Sequence, residues 1–133
     1  MTYLLDTHAL IWATLETEKL SANIRNIIMD SDNDIYVSTV SFWEISLKTR
    51  INKFFFDNID IKKFPEYARL MGFTIIDIAE KETITFHELP LKNNHKDPFD
   101  RMLIWQAITM KRILISKDAL MGQYKEDGLK VIW

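Results

Sequence analysis

The sequence contains no cysteine, only three glycines and no long hydrophobic run. Without cysteine the chain has neither disulfide bonds nor thiolate metal ligands, which excludes a zinc-finger site. Three glycines, scattered along the chain, do not form a glycine-rich phosphate-binding loop. No stretch approaches about 18 consecutive apolar residues, and the N-terminal residues lack the pattern of a secretory signal. We therefore expect a cytoplasmic protein with no membrane association.

The chain also lacks an excess of positive charge. Its 17 basic and 19 acidic residues give a net charge of −2, so binding to a nucleic acid would depend on a local basic patch. Hydrophobic residues make up 47% and charged residues 27%, which is typical of a folded chain and excludes a largely disordered one. A chain of 133 residues is long enough to bury one core, so we expect residues 1–133 to form a single domain.

Short β-prone runs alternate with helical patterns along the whole chain. Strands are predicted at residues 2–5, 35–38, 73–76, 113–116 and, as a final edge strand, 129–133. Helices are predicted at residues 8–15, 20–28, from about 39 or 41 to 51, 60–71, 80–87 and 98–111. The alternation predicts an α/β fold, with a mostly parallel sheet and helices on both faces. The first strand is apolar on both sides, which favours a central position.

Acidic residues lie where the strands of such a sheet end. Asp6 follows the first strand, Asp118 follows the fourth, and Asp100 lies in the first turn of the helix between Pro98 and the fourth strand. Glu44 lies on the helix after the second strand. Open α/β sheets bind ligands beyond the carboxyl ends of their strands. Clustered carboxylates repel one another unless a cation compensates, and oxygen ligands select Mg²⁺ or Mn²⁺.

Each of these acids also has a purely structural interpretation. Asp6 is a suitable N-cap for the helix that follows it, and Ser41 with Glu44 fits a capping box. Asp97 is a natural N-cap before Pro98, in which case Asp100 would only complement the helix dipole. From spacing alone both readings remain open.

Four motifs in order resemble the PIN-domain family, and more narrowly the VapC-type toxins of prokaryotic toxin–antitoxin pairs. They are Leu4-Leu5-Asp6-Thr7-His8, the segment from Ser38 to Ile45, the segment from His95 to Ala107, and Ser116-Lys117-Asp118. The resemblance implies five parallel strands and a Mg²⁺-dependent endoribonuclease that hydrolyses RNA by metal-activated water. The implied catalytic and metal-binding acids are Asp6, Glu44, Asp100 and Asp118, with the hydroxyl of Thr7 or Ser116 in support. It also implies a cognate antitoxin and a homodimer.

Other polar and aromatic residues are assigned with less specificity. Asp97 is interpreted as a helix cap or a group behind the metal ligands, and His95 is the histidine closest to the acidic motif. Arg101 and Lys117 neighbour the presumed ligands and could contact phosphates, although solvent exposure is the default for a single basic residue. Trp43 and Trp105 are predicted to belong to the core rather than to stack on bases. The alternative function is a Mg²⁺-binding signalling or partner-binding module without nuclease activity.

Three consecutive aromatic residues, Phe54, Phe55 and Phe56, cannot all face one core from a single helix. We expect at least one ring to be exposed and the segment to bind a partner chain, because an exposed apolar patch is costly in a monomer. The other possibility is that helices cover all three rings.

Overall fold

The computed structural model describes residues 1–133, and its centre is one sheet of five parallel strands. The strands are β1 (Thr2–Leu5), β2 (Asp34–Ser38), β3 (Thr74–Ile76), β4 (Ile113–Ile115) and β5 (Lys130–Ile132). Their order in the sheet is β3-β2-β1-β4-β5. Leu4 of β1 lies opposite Tyr36 on one side and Leu114 on the other, so β1 is central. The predicted parallel sheet is confirmed, including the edge strand at its C-terminus.

Helices cover both faces of the sheet, as predicted. They are α1 (Thr7–Leu15), α2 (Ala22–Met29), α3 (Thr39–Arg50), α4 (Phe64–Leu70), α5 (Glu80–Thr85) and α6 (Pro98–Thr109). Successive residues of β1 point to opposite faces, so that Leu5 packs in a core under α1 and α4, whereas Leu4 packs in a second core under α6. No helix combines the length and apolarity needed to cross a membrane.

Two predicted helices are shorter than expected. The segment predicted at 60–71 begins as a 3₁₀ turn, Ile61–Lys63, and becomes α-helical at Phe64. Pro65 lies in the first turn of α4, where its missing N–H costs nothing, and Gly72 adopts a positive φ of 81° after the helix ends. The segment predicted at 80–87 likewise changes from α5 to a 3₁₀ turn, Phe86–Glu88.

The aromatic segment after α3 is divided between core and surface. Phe55 is 83% exposed, whereas Phe54 and Phe56 are half-buried and pack against the core under α1. Phe56 lies between the rings of Phe54 and Phe64, at centroid distances of 5.9 and 5.4 Å. The expectation that at least one ring is exposed is confirmed. The other possibility, that helices cover all three rings, is wrong, because Phe55 is exposed, whereas edge-to-face contacts hold the other two rings against the core.

Trp43 is not a core residue. It lies on the outer face of α3 and is 59% exposed, and its ring makes an edge-to-face contact with that of Phe99, with 4.9 Å between the ring centroids. The prediction failed because α3 carries large apolar residues on two faces and only one of them turns to the sheet. Trp105, by contrast, packs against the core under α6, and its indole N–H donates to Thr85 Oγ1 at 3.1 Å.

Candidate metal centre

The carboxyl ends of β1 and β4 open into a cleft of about 450 Å³. Its walls are formed by Asp6, His8, Trp12, Lys117 and Asp118. Asp6 follows β1 directly and Asp118 follows β4 after two residues, as the sequence predicts. Because β1 and β4 are neighbours in the sheet, the parallel topology brings these two acids to one edge.

Asp6 is a buried carboxyl at the first turn of α1. Its Oδ1 accepts a hydrogen bond from the backbone N–H of Ala9 at 2.8 Å, which makes it the N-cap of the helix. Burial raises the pKa of Asp6 from 3.8 to about 7. The Ser116 hydroxyl and the Ala9 N–H oppose this shift, and the charges of Asp100 and Glu44 add to it. Asp6 therefore carries a charge that the protein alone compensates poorly.

Glu44 is buried on α3 and both of its oxygens have protein donors. Thr7 Oγ1 donates to Oε1 at 2.5 Å, and the ammonium group of Lys48 donates to Oε2. Ser38, rather than Ser41, is the N-cap of α3, because its hydroxyl accepts from the N–H of Val40. The capping-box interpretation of Glu44 is therefore wrong.

Asp97 and Asp100 open α6. Asp97 Oδ1 accepts from the backbone N–H groups of Phe99 and Asp100 at 2.8 and 3.2 Å, which confirms it as the N-cap. Burial, followed by the charge of Asp97, raises the pKa of Asp100 to about 6, and the hydrogen bond with His95 opposes the shift. The His95 ring is buried, with Nε2 at 3.3 Å from Asp100 Oδ2 and Nδ1 at 3.0 Å from the Tyr124 hydroxyl.

The acids form two groups that share Asp100. Potential ligand atoms lie within 4.8 Å of one another in the set Glu44, Asp97 and Asp100, and in the set His95, Asp100 and Asp118. Asp6 belongs to neither set but lines the same cleft as Asp118 and is close enough for Asp100 and Glu44 to raise its pKa. The structure thus brings all four predicted acids to one edge of the sheet.

The donors present fit a hard divalent cation. They are mainly carboxylate oxygens, which Mg²⁺ and Mn²⁺ prefer. Two of them, Asp6 and Asp100, have raised pKa values because burial and neighbouring acids oppose their charge. Asp100 Oδ1 and Asp118 Oδ2 accept no hydrogen bond from the protein. A cation between these groups would relieve their repulsion and find free oxygens.

The two hydroxyls predicted to support the site both lie in it. Thr7 donates to Glu44 as described, and its oxygen also lies 3.1 Å from Ser41 Oγ. Ser116 is buried at the end of β4, where its oxygen accepts from the backbone N–H of Asp118 at 3.1 Å and so fixes the turn that carries that acid.

Arg101 is wrongly predicted as a phosphate contact. Its side chain is buried, and the guanidinium donates to the carbonyl oxygens of Pro90 and Leu89 at 2.9 and 3.0 Å and to the Tyr124 hydroxyl at 3.1 Å. The group therefore holds the loop before α6 in place. Lys117 is exposed beside Asp118, and its ammonium lies 5.8 Å from the centre of the Trp12 ring on the wall of the cleft.

Sequence reasoning missed Lys48, the cation within the site. Its side chain is only 18% exposed and lies against both Glu44 and Asp97. Burial opposes its charge, but the hydrogen bond and charge of Glu44, with those of Asp97, outweigh this and raise the pKa of Lys48. The Glu44 to Lys48 spacing of four residues on a predicted helix is the signal that could have found it. Tyr124, which contacts both His95 and Arg101, gave no comparable signal.

The family model described as "PIN domain" matches residues 3–126. The chain belongs to the PIN-domain family. The segment matched contains all of the acids described above, and the family accounts for the five parallel strands.

Several solved structures share this fold, and three of them are of VapBC proteins. Similar chains occur in VapBC2 from Rickettsia felis bound to a promoter DNA fragment (18% identity, TM-score 0.63), covering 99% of this chain and 98% of that one. They also occur in VapBC-1 from nontypeable Haemophilus influenzae (15%, 0.63; 99% and 97%) and DNA-bound VapBC from Salmonella typhimurium (12%, 0.67; 99% and 97%). At these identities the likeness shows the fold. No curated protein sequence gives a significant match to the chain.

Proposed function

We propose that the chain is a Mg²⁺-dependent endoribonuclease, with Mn²⁺ as a possible substitute, and that it is the toxin of a toxin–antitoxin pair. The observation that supports this most strongly is the set of acids on an open cleft, where Asp6 and Asp100 have raised pKa values and Asp100 and Asp118 keep free oxygens. Such a set is costly for stability and useful for holding a divalent cation.

Asp6, Asp100 and Asp118 would hold the ion, and Glu44 would add negative charge from behind them. When bound, Mg²⁺ would supply the Lewis-acid chemistry that activates water and stabilises charge on the leaving oxygen. The protein fixes the carboxylates: backbone N–H groups anchor Asp6 and Asp118, and His95 orients Asp100. No side chain is needed as a nucleophile.

The test is the degradation of total cellular RNA by the purified protein with Mg²⁺ and with a chelator. Cleavage should require the ion and leave 5′-phosphate and 3′-hydroxyl ends, since water rather than the 2′-hydroxyl attacks. Asp100→Asn should reduce cleavage at least about 100-fold, whereas Asp57→Asn, an exposed acid outside the site, should cleave normally.

Full activity in folded Asp100→Asn, or products with 2′,3′-cyclic phosphate, would contradict the mechanism. Mg²⁺ binding without degradation of any RNA would favour the alternative, a signalling or partner-binding module. Mapping the cut sites would identify the RNA, because recognition depends on RNA shape rather than on a short protein motif.

The proposed antitoxin would bind the exposed apolar face of α3. Trp43, Leu47 and Ile51 recur every four residues there and are 59%, 37% and 51% exposed, and Phe55 follows them. An amphipathic helix laid on this stripe would bury it. Three similar structures are VapBC complexes, which supports an antitoxin as the occupant.

We also propose a homodimer, whose mass by light scattering should be about twice the 15.8 kDa of one chain. Trp43→Ser should weaken capture of a co-expressed antitoxin, whereas Leu91→Ser, which changes an even more exposed apolar residue elsewhere, should not. Equal capture by both variants would place the antitoxin on another surface.

A further inference from the structure

Lys48 occupies the side of the acidic site that lies against α3. Its ammonium donates to Glu44 Oε2 and lies 3.4 Å from Asp97 Oδ2. The other oxygen of each acid is also engaged: Thr7 donates to Glu44 Oε1, and two backbone N–H groups donate to Asp97 Oδ1. All four carboxylate oxygens on this side therefore already have protein donors.

Aromatic rings hold the ammonium in this position. The Nζ atom of Lys48 lies 5.5 Å from the centre of the Phe54 ring and 5.8 Å from that of Phe99. Rings at this distance attract a cation through their π faces and keep water away from it. With the side chain 18% exposed, Lys48 is a fixed part of the site rather than a mobile surface lysine.

The opposite side of the site has no such cation. Asp100 Oδ1 and Asp118 Oδ2 have no protein donor, and Lys117 lies on the wall of the cleft near Trp12, exposed to solvent. The acids are thus divided into Glu44 and Asp97, whose charge Lys48 balances, and Asp100 and Asp118, which have no lysine or arginine partner. Asp100 stands between them, since it belongs to both ligand groups.

We propose that Lys48 is a built-in cation that takes the place of a second divalent ion at Glu44, Asp97 and Asp100. The inference rests on the proposed function, because it presumes that one ion binds on the side of Asp118. Paired metal ions in phosphodiester-cleaving sites lie about 3.5–4 Å apart and share a carboxylate. Asp100 belongs to both ligand sets, but the Lys48 ammonium already contacts Glu44 and Asp97, the other two acids of the set on this side. Lys48 is therefore a positioning residue that limits the site to one ion.

The experiment counts bound Mn²⁺ by titration calorimetry and by electron paramagnetic resonance of the full chain. Wild type and Lys48→Arg should bind one ion per chain. Lys48→Met should bind two, and its spectrum should gain the splitting of a coupled pair of ions. Lys53→Met, which removes an exposed lysine beyond the end of α3, should behave as wild type.

Two ions in wild type, or one in folded Lys48→Met, would overturn the proposal. Should Lys48→Met fail to fold, Lys48→Gln serves the same test, because its amide keeps a donor for Glu44 without the charge. The wild-type count requires no variant and can overturn the proposal by itself.

RNA cleavage separates this proposal from the one on which it rests. A wild-type protein that binds one Mn²⁺ and cleaves no RNA contradicts the nuclease function and leaves the role of Lys48 intact. A protein that cleaves RNA and binds two ions retains the function and loses the inference. A wild-type protein that binds no ion contradicts both.

Discussion

The carboxyl of Asp6 makes the stability of the ion-free protein depend on pH. Its pKa rises from 3.8 to about 7 on folding, chiefly because it is buried. A group whose pKa is raised in the folded state favours folding while it is protonated. That contribution is fully present below about pH 4 and is lost as the pH rises through about 7. The ion-free protein should therefore become less stable between weakly acidic and neutral pH.

The size of the effect follows from the two pKa values of Asp6. Between about pH 5 and about pH 7.5, the folded chain holds its proton on Asp6 more tightly than the unfolded chain does. This difference lowers the free energy of unfolding by roughly 2 to 3 kcal/mol. For a chain of 133 residues this corresponds to a melting temperature lower by about 6–12 °C. The pKa of Asp100 is also raised, to about 6, so its ionisation lowers the stability further as the pH rises.

Asp6→Asn removes the titration and keeps an oxygen that can accept from the Ala9 N–H. In a chelator, the melting temperature of this variant should exceed that of wild type clearly at about pH 7.5 and by a smaller margin at about pH 5, where more of the Asp6 contribution remains. Mg²⁺ should stabilise wild type more at the higher pH, because it then binds ionised acids. Asp57→Asn is the matched control. A difference between Asp6→Asn and wild type that is the same at both pH values would refute the reasoning.

The remaining predictions concern packing and the cleft. Arg101→Met should lower the free energy of unfolding by about 3 kcal/mol in urea titrations, because buried carbonyl oxygens lose their donors; a loss below about 0.5 kcal/mol would mean that the guanidinium is solvated. Phe56→Ser should lower the free energy of unfolding by about 3 kcal/mol in the same assay. Phe55→Ser should change stability little and weaken association with the antitoxin; equal losses of stability in the two variants would contradict the difference in burial. Asp118→Asn should weaken Mn²⁺ binding in calorimetry at least about 10-fold, and unchanged affinity would exclude it as a ligand.

The elements of the fold could be predicted because each has a local signal. Buried parallel strands are short apolar runs, and Ser21 and Asp97 mark the starts of α2 and α6 as N-caps. The central position of β1 followed from its being apolar on both sides. The full strand order does not follow from such patterns, because it depends on which helix packs on which face.

Two residues were assigned wrongly for a related reason. Trp43 and Ile45 lie on the same helix, yet only Ile45 is buried, and periodicity does not tell which face meets the sheet. Arg101 resembles an exposed residue of a first helical turn. Its carbonyl partners, Leu89 and Pro90, lie in a loop more than ten positions earlier, which no local spacing reveals.

The structural and functional interpretations of the acids, which spacing leaves as alternatives, are compatible in the folded chain. Asp6 is the N-cap of α1 and Asp118 is the N-cap of a 3₁₀ helix, Ala119–Asp127. In each case one oxygen, Oδ1, accepts a backbone N–H, at 2.8 and 2.9 Å. The cap engages one oxygen of each carboxylate, and both acids line the cleft. Asp97 caps α6 in the same way, but its second oxygen meets Lys48 instead. Whether a capping acid can serve an ion therefore depends on what lies opposite its second oxygen.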